Sequence, residues 1–264
     1  VTSIQFERIL SASGPYFGHV QRLSDGKEPK KVAFIQCVGS RDTSCGNSWC
    51  SSVCCMYATK EAIIGKEHAK GMEATIFFMD IRAHGKDFDR FVNRAKNEYG
   101  IRYIRSMPST VKELQQTRNL MLKYVQEDGT LVEEEFDMVI LSVGLTPPKE
   151  AASLAKALGI ELEEHGFCKT GLENPVQTTR PGVFVCGAFG GPKDIPETVM
   201  EASGAAACAG GLLAARRGTL VTEAELPAEM DMRGTGPRIG VFVCHCGINI
   251  GGVVRVPEVV EYAK

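Results

Sequence analysis

Short apolar segments alternate along the chain with segments that have helical periodicity. Strand-forming residues dominate in 31–37, 73–80, 101–106 and 136–144, and helical spacing marks 54–70, 87–99 and 150–158. Strands that alternate with helices of this length are typical of a parallel sheet covered on both faces. The pattern therefore predicts an α/β fold built from Rossmann-like wound sheets.

An antiparallel hairpin is predicted to lie on this sheet. The pair Asp128-Gly129 separates the apolar segments 119–125 and 131–134. Because Asp-Gly readily adopts the positive φ that a tight turn requires, the two segments are expected to pair as a meander.

The carboxyl-terminal part of the chain has a different pattern. Residues 181–191 predict a buried strand that runs into a glycine loop, and a long helix is predicted from about Pro196 to about Arg216. Residues 220–236 carry acids, Pro and Gly with little periodicity, which predicts a linker. A further strand is predicted from Arg238, and we assign it to a different domain.

The composition is that of an ordinary globular protein. Of the 264 residues, 44% are hydrophobic and 23% are charged, which excludes disorder and a coiled coil. The 30 Lys and Arg against 32 Asp and Glu leave a net charge of −2, so nucleic acid is not an expected partner. The longest apolar run, residues 204–215, is shorter than a bilayer crossing needs, so no membrane span is predicted.

The ten cysteines are placed unevenly. Five lie between Cys37 and Cys55, two form the pair Cys244 and Cys246, and three are scattered, at Cys168, Cys186 and Cys208. Clustered cysteines without a secretory signal indicate metal or redox chemistry in a reducing compartment. We therefore expect a cytoplasmic protein.

The turn after the first strand lacks the G-x-G-x-x-G pattern of a dinucleotide site, so pyridine nucleotide binding there is doubtful. The cysteines at this turn have four possible interpretations. A redox-active Cys50–Cys54 pair and packed free thiols are two alternatives. Zinc is a third, although adjacent Cys54 and Cys55 fit poorly into its usual two spaced pairs. An iron–sulfur cluster accepts less regular spacing and is favoured.

Two later segments, 136–148 and 182–207, resemble motifs of flavoprotein disulfide reductases. In that family, the first motif ends in a small residue and a glycine at the cofactor, and the second precedes a helix whose N-terminus faces the flavin. The acid that normally follows the glycine is absent here, and Asp194 is its expected partial replacement. The resemblance implies FAD-binding residues at Val143, Gly144, Gly187, Ala188, Lys193, Asp194, Ile195 and Thr198.

Together, the motifs resemble the A subunit of heterodisulfide reductase. They are CVGSRD, SWCSSVCCMYATKEA, FFMDIRAHGKDF, ILSVG and CGAFGGPKDIPETV. The resemblance implies a thioredoxin-reductase-like FAD domain with an inserted [4Fe-4S] cluster. It also implies the ligand set Cys37, Cys50, Cys54 and Cys55, which leaves Cys45 out.

The family implies an oxidoreductase subunit that passes electrons between FAD and the cluster, in some members by flavin-based bifurcation. The expected partners are other heterodisulfide-reductase-like subunits, with hydrogenase, formate dehydrogenase or ferredoxin as electron partners. No residue is assigned a catalytic role of its own. The alternative function is a pyridine-nucleotide disulfide oxidoreductase that uses a redox-active cysteine pair.

We expect the chain to be a piece of a longer, tandem or fused protein. It begins at Val1 without an initiator Met, and RIGVFVCHCGINIGG near its end looks like the opening of another A-like unit, with Cys244 and Cys246 as ligands of a further cluster. The expected domains are a connection from a preceding FAD-binding segment (1–30), a Rossmann-like unit with the cysteine cluster (31–135), the C-terminal part of the FAD domain (136–218), a linker (219–237) and the start of a further domain (238–264).

Overall fold

The computed structural model describes residues 1–246 and 250–264. These residues divide into two compact units, Val1–Ala214 and Ala215–Lys264. The strands are β1 (Lys31–Val38), β2 (Glu73–Phe77), β3 (Arg102–Ile104), β4 (Thr110–Glu113), β5 (Leu120–Val125), β6 (Leu131–Phe136) and β7 (Met138–Val143). The helices are α1 (Ser3–Leu10), α2 (Cys54–His68), α3 (Phe88–Asn97), α4 (Ala151–Leu158), α5 (Ile195–Leu213) and α6 (Val256–Ala263).

A four-stranded parallel sheet of order β3-β2-β1-β7 forms the centre of the first unit. Its strands are apolar on both sides because both faces are covered. Phe34 of β1 packs on the helical side with Ile76 and Ile140, whereas Ile35 belongs to the cluster on the opposite face. The predicted wound α/β fold is therefore present, with helices α1 to α3 on one face.

The other face is covered by the antiparallel sheet β4-β5-β6. Leu122 and Tyr124 of β5 and Phe136 of β6 are buried against the parallel sheet. The β5–β6 hairpin confirms the expectation from Asp128-Gly129. Strand β4 was not predicted, because all four of its residues are exposed and no alternation of apolar and polar positions reveals it.

Two of the expected domain boundaries differ from the structure. Strand β7, which we assigned to the FAD part beginning at residue 136, pairs with β1 in the parallel sheet. Helix α1, within the expected connection 1–30, contributes to the core, where the Phe6 ring lies edge-on to Phe34 with 5.7 Å between centroids. Hydrophobic periodicity marks elements but not the sheet to which each belongs.

The predicted strand at residues 181–191 is not a regular strand. It has only an isolated bridge between Gln177 and Phe184, followed by a short 3₁₀-helix at Gly187–Gly190. An apolar segment becomes a strand only when a neighbour satisfies its backbone hydrogen bonds. Among the described residues, no strand runs beside this segment, and the bridge to Gln177 is its one strand-like contact.

Helix α5 confirms the predicted long helix. It begins after Asp194, whose carboxylate caps the backbone N–H of Glu197 in a capping box. With the following turn, Ile195–Arg216 has 22 residues and a mean hydropathy of 1.3, so by length and composition alone it is long enough to cross a membrane. The prediction of no membrane span was based on residues 204–215 alone. The apolar helix starts earlier, at Ile195, and is therefore longer than that run.

The second unit contains α6 but not the strand predicted from Arg238. Residues 238–246 have no regular secondary structure, and no described residue of this unit pairs with them. An isolated strand is not stable without a partner. The end of the RIGVFVCHCGINIGG motif at residues 247–249 lies outside the described residues.

A buried acid lies on α2. Glu61 is only 2% exposed, and its Oε2 atom has no hydrogen-bond partner among the described residues. Burial and the negative charge of Glu7 raise the pKa of Glu61 to about 8, although Lys60 acts in the opposite direction. The folded chain therefore holds a proton at neutral pH that the unfolded chain releases.

The free energy of unfolding is expected to fall as pH rises from about 4.5 to about 8, because over this range the unfolded state ionises Glu61 and the folded state does not. Glu61→Gln removes this pH dependence. The variant should be more stable than wild type at pH 8, by on the order of 2–4 kcal/mol, and similar to it near pH 4. Urea denaturation followed by circular dichroism at several pH values measures the difference, with Glu127→Gln on the exposed hairpin turn as the control.

Candidate metal centre and cofactor cavity

The cysteines lie at the carboxyl edge of the parallel sheet. Cys37 is near the end of β1 and adopts a left-handed φ of 58°, which turns the chain into the cysteine loop, residues 39–52. Cys54 and Cys55 are the first two residues of α2. The carboxyl edge is where open α/β sheets bind their ligands, and helix N-termini favour negative charge.

Hydrogen bonds give the cysteine loop a defined shape. The backbone of Arg41 donates to the Trp49 carbonyl at 2.8 Å, and Asp42 and Asn47 exchange two backbone bonds. The Ser40 hydroxyl donates to the Trp49 carbonyl at 3.1 Å and accepts from the backbone N–H of Ser51 at 3.1 Å. These bonds place Cys50 beside the start of α2.

Trp49 anchors the cysteine loop to the part of the chain that follows β7. Its indole N–H donates to the carbonyl of Leu145 at 3.0 Å. Its ring lies 4.6 Å from the His165 ring and 5.6 Å from the Phe167 ring. A buried indole N–H requires a partner, so this contact specifies one position for the residue next to Cys50.

Gly144 leaves room for the cysteine loop. A Cβ atom there would lie 2.8 Å from the Cβ of Ser40 and 2.9 Å from the Oγ of Ser51, closer than real contacts allow. The next amide, that of Leu145, donates to Ser51 Oγ at 2.7 Å. The structure thus gives this glycine a packing reason, whereas the motif implied a cofactor contact. The Val143 carbonyl accepts a hydrogen bond from the Tyr57 hydroxyl at 3.1 Å.

Four thiols converge at this edge. Cys54 and Cys55 are buried, and Cys37 and Cys50 are half-buried. Burial raises the pKa of Cys54 to about 11, although the Tyr57 hydroxyl acts against this. Burial also raises the pKa values of Cys37 and Cys55, and the negative charges of neighbouring thiolates in the group contribute to each. The raised pKa values favour neutral thiols, so the four could ionise together only if a cation or a metal cluster offset the repulsion between their negative charges.

The sulfur spacing bears on which group the site can hold. In the first unit, no three cysteine sulfurs lie within 4.8 Å of one another. Tetrahedral zinc with Zn–S bonds of about 2.3 Å would require separations of about 3.8 Å between its ligands. All ten cysteines are unbridged, including Cys50 and Cys54. A cubane cluster, in which each sulfur binds a different iron, does not require its cysteine sulfurs to form so compact a group.

Cys45 lies outside the group of four. It is exposed, and its thiol donates to the Asp42 carboxylate at 3.3 Å. The scattered thiols also lie apart from the group, since Cys168 is packed in a separate core with Val185.

Several donors surround the four thiols. The backbone N–H of Ser52 points at Cys50 Sγ from 3.3 Å, and that of Arg82 points at Cys55 Sγ from 3.4 Å. The Arg41 guanidinium pairs with Asp80, three residues after β2, and acts to lower the pKa of Cys37 against the larger effect of burial. Hydrogen bonds to cysteine sulfur and nearby positive charge stabilise an anionic metal cluster.

A cavity of about 660 Å³ separates the start of α2 from the start of α5. Its size lies within the range of small-molecule and cofactor sites. On one side it is lined by Ser52, Val53, Met56, Tyr57 and Lys60, on the other by Lys193, Asp194, Ile195, Pro196 and Thr198, and at the rim by Lys86, Asp87, Phe88 and Phe91. The cavity is lined by four of the eight residues implied for FAD and by Ser52, Val53 and Met56, which are neighbours in sequence of Cys50, Cys54 and Cys55; no cysteine side chain of the described residues lines it.

The residues at the start of α5 are held by one another. Lys193 forms an ion pair of 2.8 Å with Glu201, and Glu201 also accepts from the backbone N–H of Gly187 at 2.9 Å. Gly187 has a left-handed φ of 73°, and a Cβ there would lie 3.1 Å from Thr198. The carboxylate of Asp194 is engaged as the helix cap, a structural role that sequence motifs did not indicate. Gly187 and the exposed Ala188 lie outside the cavity lining.

In the second unit, Cys244 and Cys246 are exposed, and their sulfurs are 3.0 Å apart. The hydrogen bond between them lowers the pKa of Cys244. The structure brings these two predicted ligands together, and the described part of this unit contains no other cysteine.

A protein-family model described as pyridine nucleotide-disulphide oxidoreductase matches residues 10–206. The match includes the parallel sheet, the cysteine loop and the start of α5. The chain belongs to this family. Membership confirms the predicted α/β fold of the FAD-dependent disulfide reductase type, and the family is one of oxidoreductases, as predicted.

Relatives within the family are the A subunits of heterodisulfide reductases, which confirms the resemblance seen in the motifs. The chain is 45% identical over 220 residues to an iron-sulfur A subunit of the CoB–CoM heterodisulfide reductase of Methanopyrus kandleri, covering 81% of this chain and 33% of the relative. It is 44% identical to the A subunit of the H(2):CoB-CoM heterodisulfide,ferredoxin reductase of Methanothermobacter marburgensis, covering 78% and 32%. It is also 44% identical to the A subunit of the H(2)/formate:CoB-CoM heterodisulfide,ferredoxin reductase of Methanococcus maripaludis, again covering 78% and 32%. The chain thus spans about a third of the length of these relatives.

Sequence reasoning missed Trp49 and Tyr57 as parts of the site. Trp49 is the single tryptophan of the chain and directly precedes Cys50, which was an available signal. Tyr57 follows Cys54 at helical spacing, so its position on the same face of α2 was also available. The sequence gives no sign of their partners, which are the carbonyl of Leu145 for Trp49 and the carbonyl of Val143 for Tyr57.

Trp49→Ala is expected to loosen the cysteine loop, because it removes one hydrogen bond and two aromatic contacts. Each of these is worth about 0.5–1.5 kcal/mol, so amide hydrogen exchange across residues 39–52 should rise about tenfold or more. Hydrogen exchange read by mass spectrometry measures the change, with Trp49→Phe as the matched control that keeps a ring but loses the N–H. Equal exchange in wild type and Trp49→Ala would contradict the anchoring role.

Proposed function

We propose that this chain is the part of an electron-transferring flavoprotein subunit that holds a [4Fe-4S] cluster beside FAD. The proposed ligands are Cys37, Cys50, Cys54 and Cys55. The observation that carries the proposal is a cavity lined both by the N-terminus of α5 and by Ser52, Val53 and Met56, the residues between and directly after Cys50, Cys54 and Cys55. A cluster on these cysteines and a flavin in this cavity would be close neighbours, which supports electron transfer between them.

The residues present fit an iron–sulfur cluster. The four thiols have no disulfide bridge between them, and backbone N–H groups point at two of the sulfurs. Cys37 would bind from the end of β1, Cys50 from the cysteine loop, and Cys54 and Cys55 from the first turn of α2. A bound cluster would supply one-electron chemistry at this edge.

The residues at α5 fit the flavin end of FAD. The positive end of a 19-residue helix, capped by Asp194, and the ammonium group of Lys193 both border the cavity. A helix N-terminus favours a nearby negative charge such as that of a reduced flavin, whereas the charge of Lys193 is already paired with Glu201. Ile195 and Thr198 would contact the ring, whereas Gly187 shapes the turn that leads to the helix. Flavin accepts one or two electrons. A one-electron carrier beside it would therefore allow an electron pair to be passed on as two single-electron transfers.

We further propose that the protein acts within a heterodisulfide-reductase-like complex. The relatives' names include H(2), formate and ferredoxin, which supports hydrogenase, formate dehydrogenase or ferredoxin as electron partners, and bifurcation at the flavin as the mode of transfer. A cytoplasmic location is proposed from the ten unbridged cysteines, which suit a reducing compartment. The exposed faces of α5 are proposed to be covered by protein, because the family match extends along the helix to residue 206.

The alternative, a disulfide oxidoreductase with a Cys50–Cys54 redox pair, is favoured by the name of the family. The environment of Cys54 argues against it. An attacking thiol needs a lowered pKa, whereas burial raises that of Cys54 to about 11. Cys244 and Cys246 are proposed to contribute to a separate cluster of a tandem unit.

Cys50→Ala and Cys54→Ala should each lower the iron and acid-labile sulfide of the anaerobically purified protein by about four per chain. The broad visible absorbance that dithionite bleaches should fall with them. Cys45→Ala, the matched control in the same loop, should keep both. Full retention of iron in either ligand variant would refute the assignment, and a colourless wild type with stoichiometric zinc would favour a structural metal site instead.

A further inference from the structure

Polar side chains without partners are buried beside the cysteine group. Gln36 of β1 and Ser142 of β7 are fully buried, and neither the Gln36 amide nor the Ser142 hydroxyl has a hydrogen-bond partner among the described residues. Gln36 lies two residues after Phe34, and Ser142 lies two residues after Ile140. Alternate residues of a strand share one face of the sheet, so both side chains lie on the face that the helices cover. Buried polar groups normally have hydrogen-bond partners. The Gln36 amide and the Ser142 hydroxyl are therefore available to bond to another group.

Tyr57 joins this place to the cysteine group. It lies three residues after Cys54 in α2, which puts both side chains on the same face of the helix. Its hydroxyl donates to the Val143 carbonyl at 3.1 Å and has the Ser3 and Ser142 hydroxyls and the Cys54 thiol as polar neighbours. Its ring lines the cavity at the start of α5. Tyr57 is therefore placed between one cysteine and the cavity assigned to the flavin.

The four sulfurs are not supplied equally with donors. Cys50 and Cys55 each face a backbone N–H, at 3.3 and 3.4 Å. For Cys54, the hydrogen bonds of the described residues include no backbone donor to the sulfur, and the nearby polar hydrogen is that of Tyr57. A thiolate bound to iron is a stronger acceptor than a neutral thiol, because it carries negative charge.

We propose that in the iron-loaded protein the Tyr57 hydroxyl turns its single hydrogen from the Val143 carbonyl to Cys54 Sγ and thereby raises the reduction potential of the cluster. The inference rests on the proposed function. Tyr57 is a positioning residue, which acts through Cys54 and binds no iron. The Ser142 hydroxyl donates to the Tyr57 oxygen, which satisfies Ser142 and orients the tyrosine hydrogen toward sulfur. Withdrawing negative charge from a cysteine sulfur stabilises the reduced cluster, which carries one more negative charge.

The test uses Tyr57→Phe in the complete, anaerobically purified protein. The relevant cluster is identified by the electron paramagnetic resonance signal that Cys54→Ala removes. We expect unchanged iron and sulfide, a more negative midpoint potential in a redox titration followed by that signal, and a shifted Fe–S(Cys) stretching band in the resonance Raman spectrum. The control is Tyr124→Phe, which removes a buried tyrosine hydroxyl bonded to Glu134 at 2.6 Å in the antiparallel sheet and should leave the potential unchanged.

The outcomes separate this inference from the function on which it rests. A wild-type protein without iron on these cysteines refutes the proposed function. If Tyr57→Phe keeps its iron and its midpoint potential is unchanged, only the role of Tyr57 is overturned. The same holds if Tyr57→Phe loses iron and Tyr124→Phe does not. If Tyr57→Phe fails to fold, Ser142→Ala replaces it, and a potential that does not become more negative in that variant overturns the inference.

Discussion

The packing of the cysteine loop against the end of β7 is the contact on which the candidate site depends. Gly144 has no side chain because the loop occupies the space where a Cβ would lie, 2.8 Å from Ser40. Trp49 bonds to the next residue, Leu145, and the Ser51 hydroxyl accepts from the same residue's amide. Since Cys50 lies between Trp49 and Ser51, these contacts determine where its sulfur stands relative to Cys37 and to the first turn of α2.

The same contact shows how a nucleotide-binding architecture can bring cysteines together at the edge of its sheet. A Rossmann-like sheet ordinarily brings a glycine-rich turn and a helix N-terminus to one edge, where they bind a pyrophosphate. Here that edge carries a longer loop that contains Cys45 and Cys50, and the first two residues of α2 are cysteines. The electrostatic requirement is similar in both cases, because a pyrophosphate and a thiolate-ligated cluster are both anionic. The positive end of the helix and the guanidinium of Arg41 suit either one.

The start of α5 has a more limited resemblance to the flavin motif. Its capping box, the Lys193–Glu201 pair and the turn at Gly187 hold one another through hydrogen bonds. Consequently Asp194, expected to replace a missing cofactor acid, is engaged with the backbone of Glu197. The segment 181–191 shows a related effect, because an apolar sequence without an adjacent strand remains irregular.

The amino-acid sequence by itself determined the alternation of strands and helices, the hairpin at Asp128-Gly129, the start of α5 and the identity of the family. These depend on local propensity, capping and short motifs, which are encoded by neighbouring residues. The sheet to which β7 belongs, the exposed strand β4, the anchor of Trp49 and the cavity shared by α2 and α5 were decided only by the tertiary structure. Each of them depends on contacts between residues far apart in the chain, and the spacing of residues along a sequence does not specify such contacts.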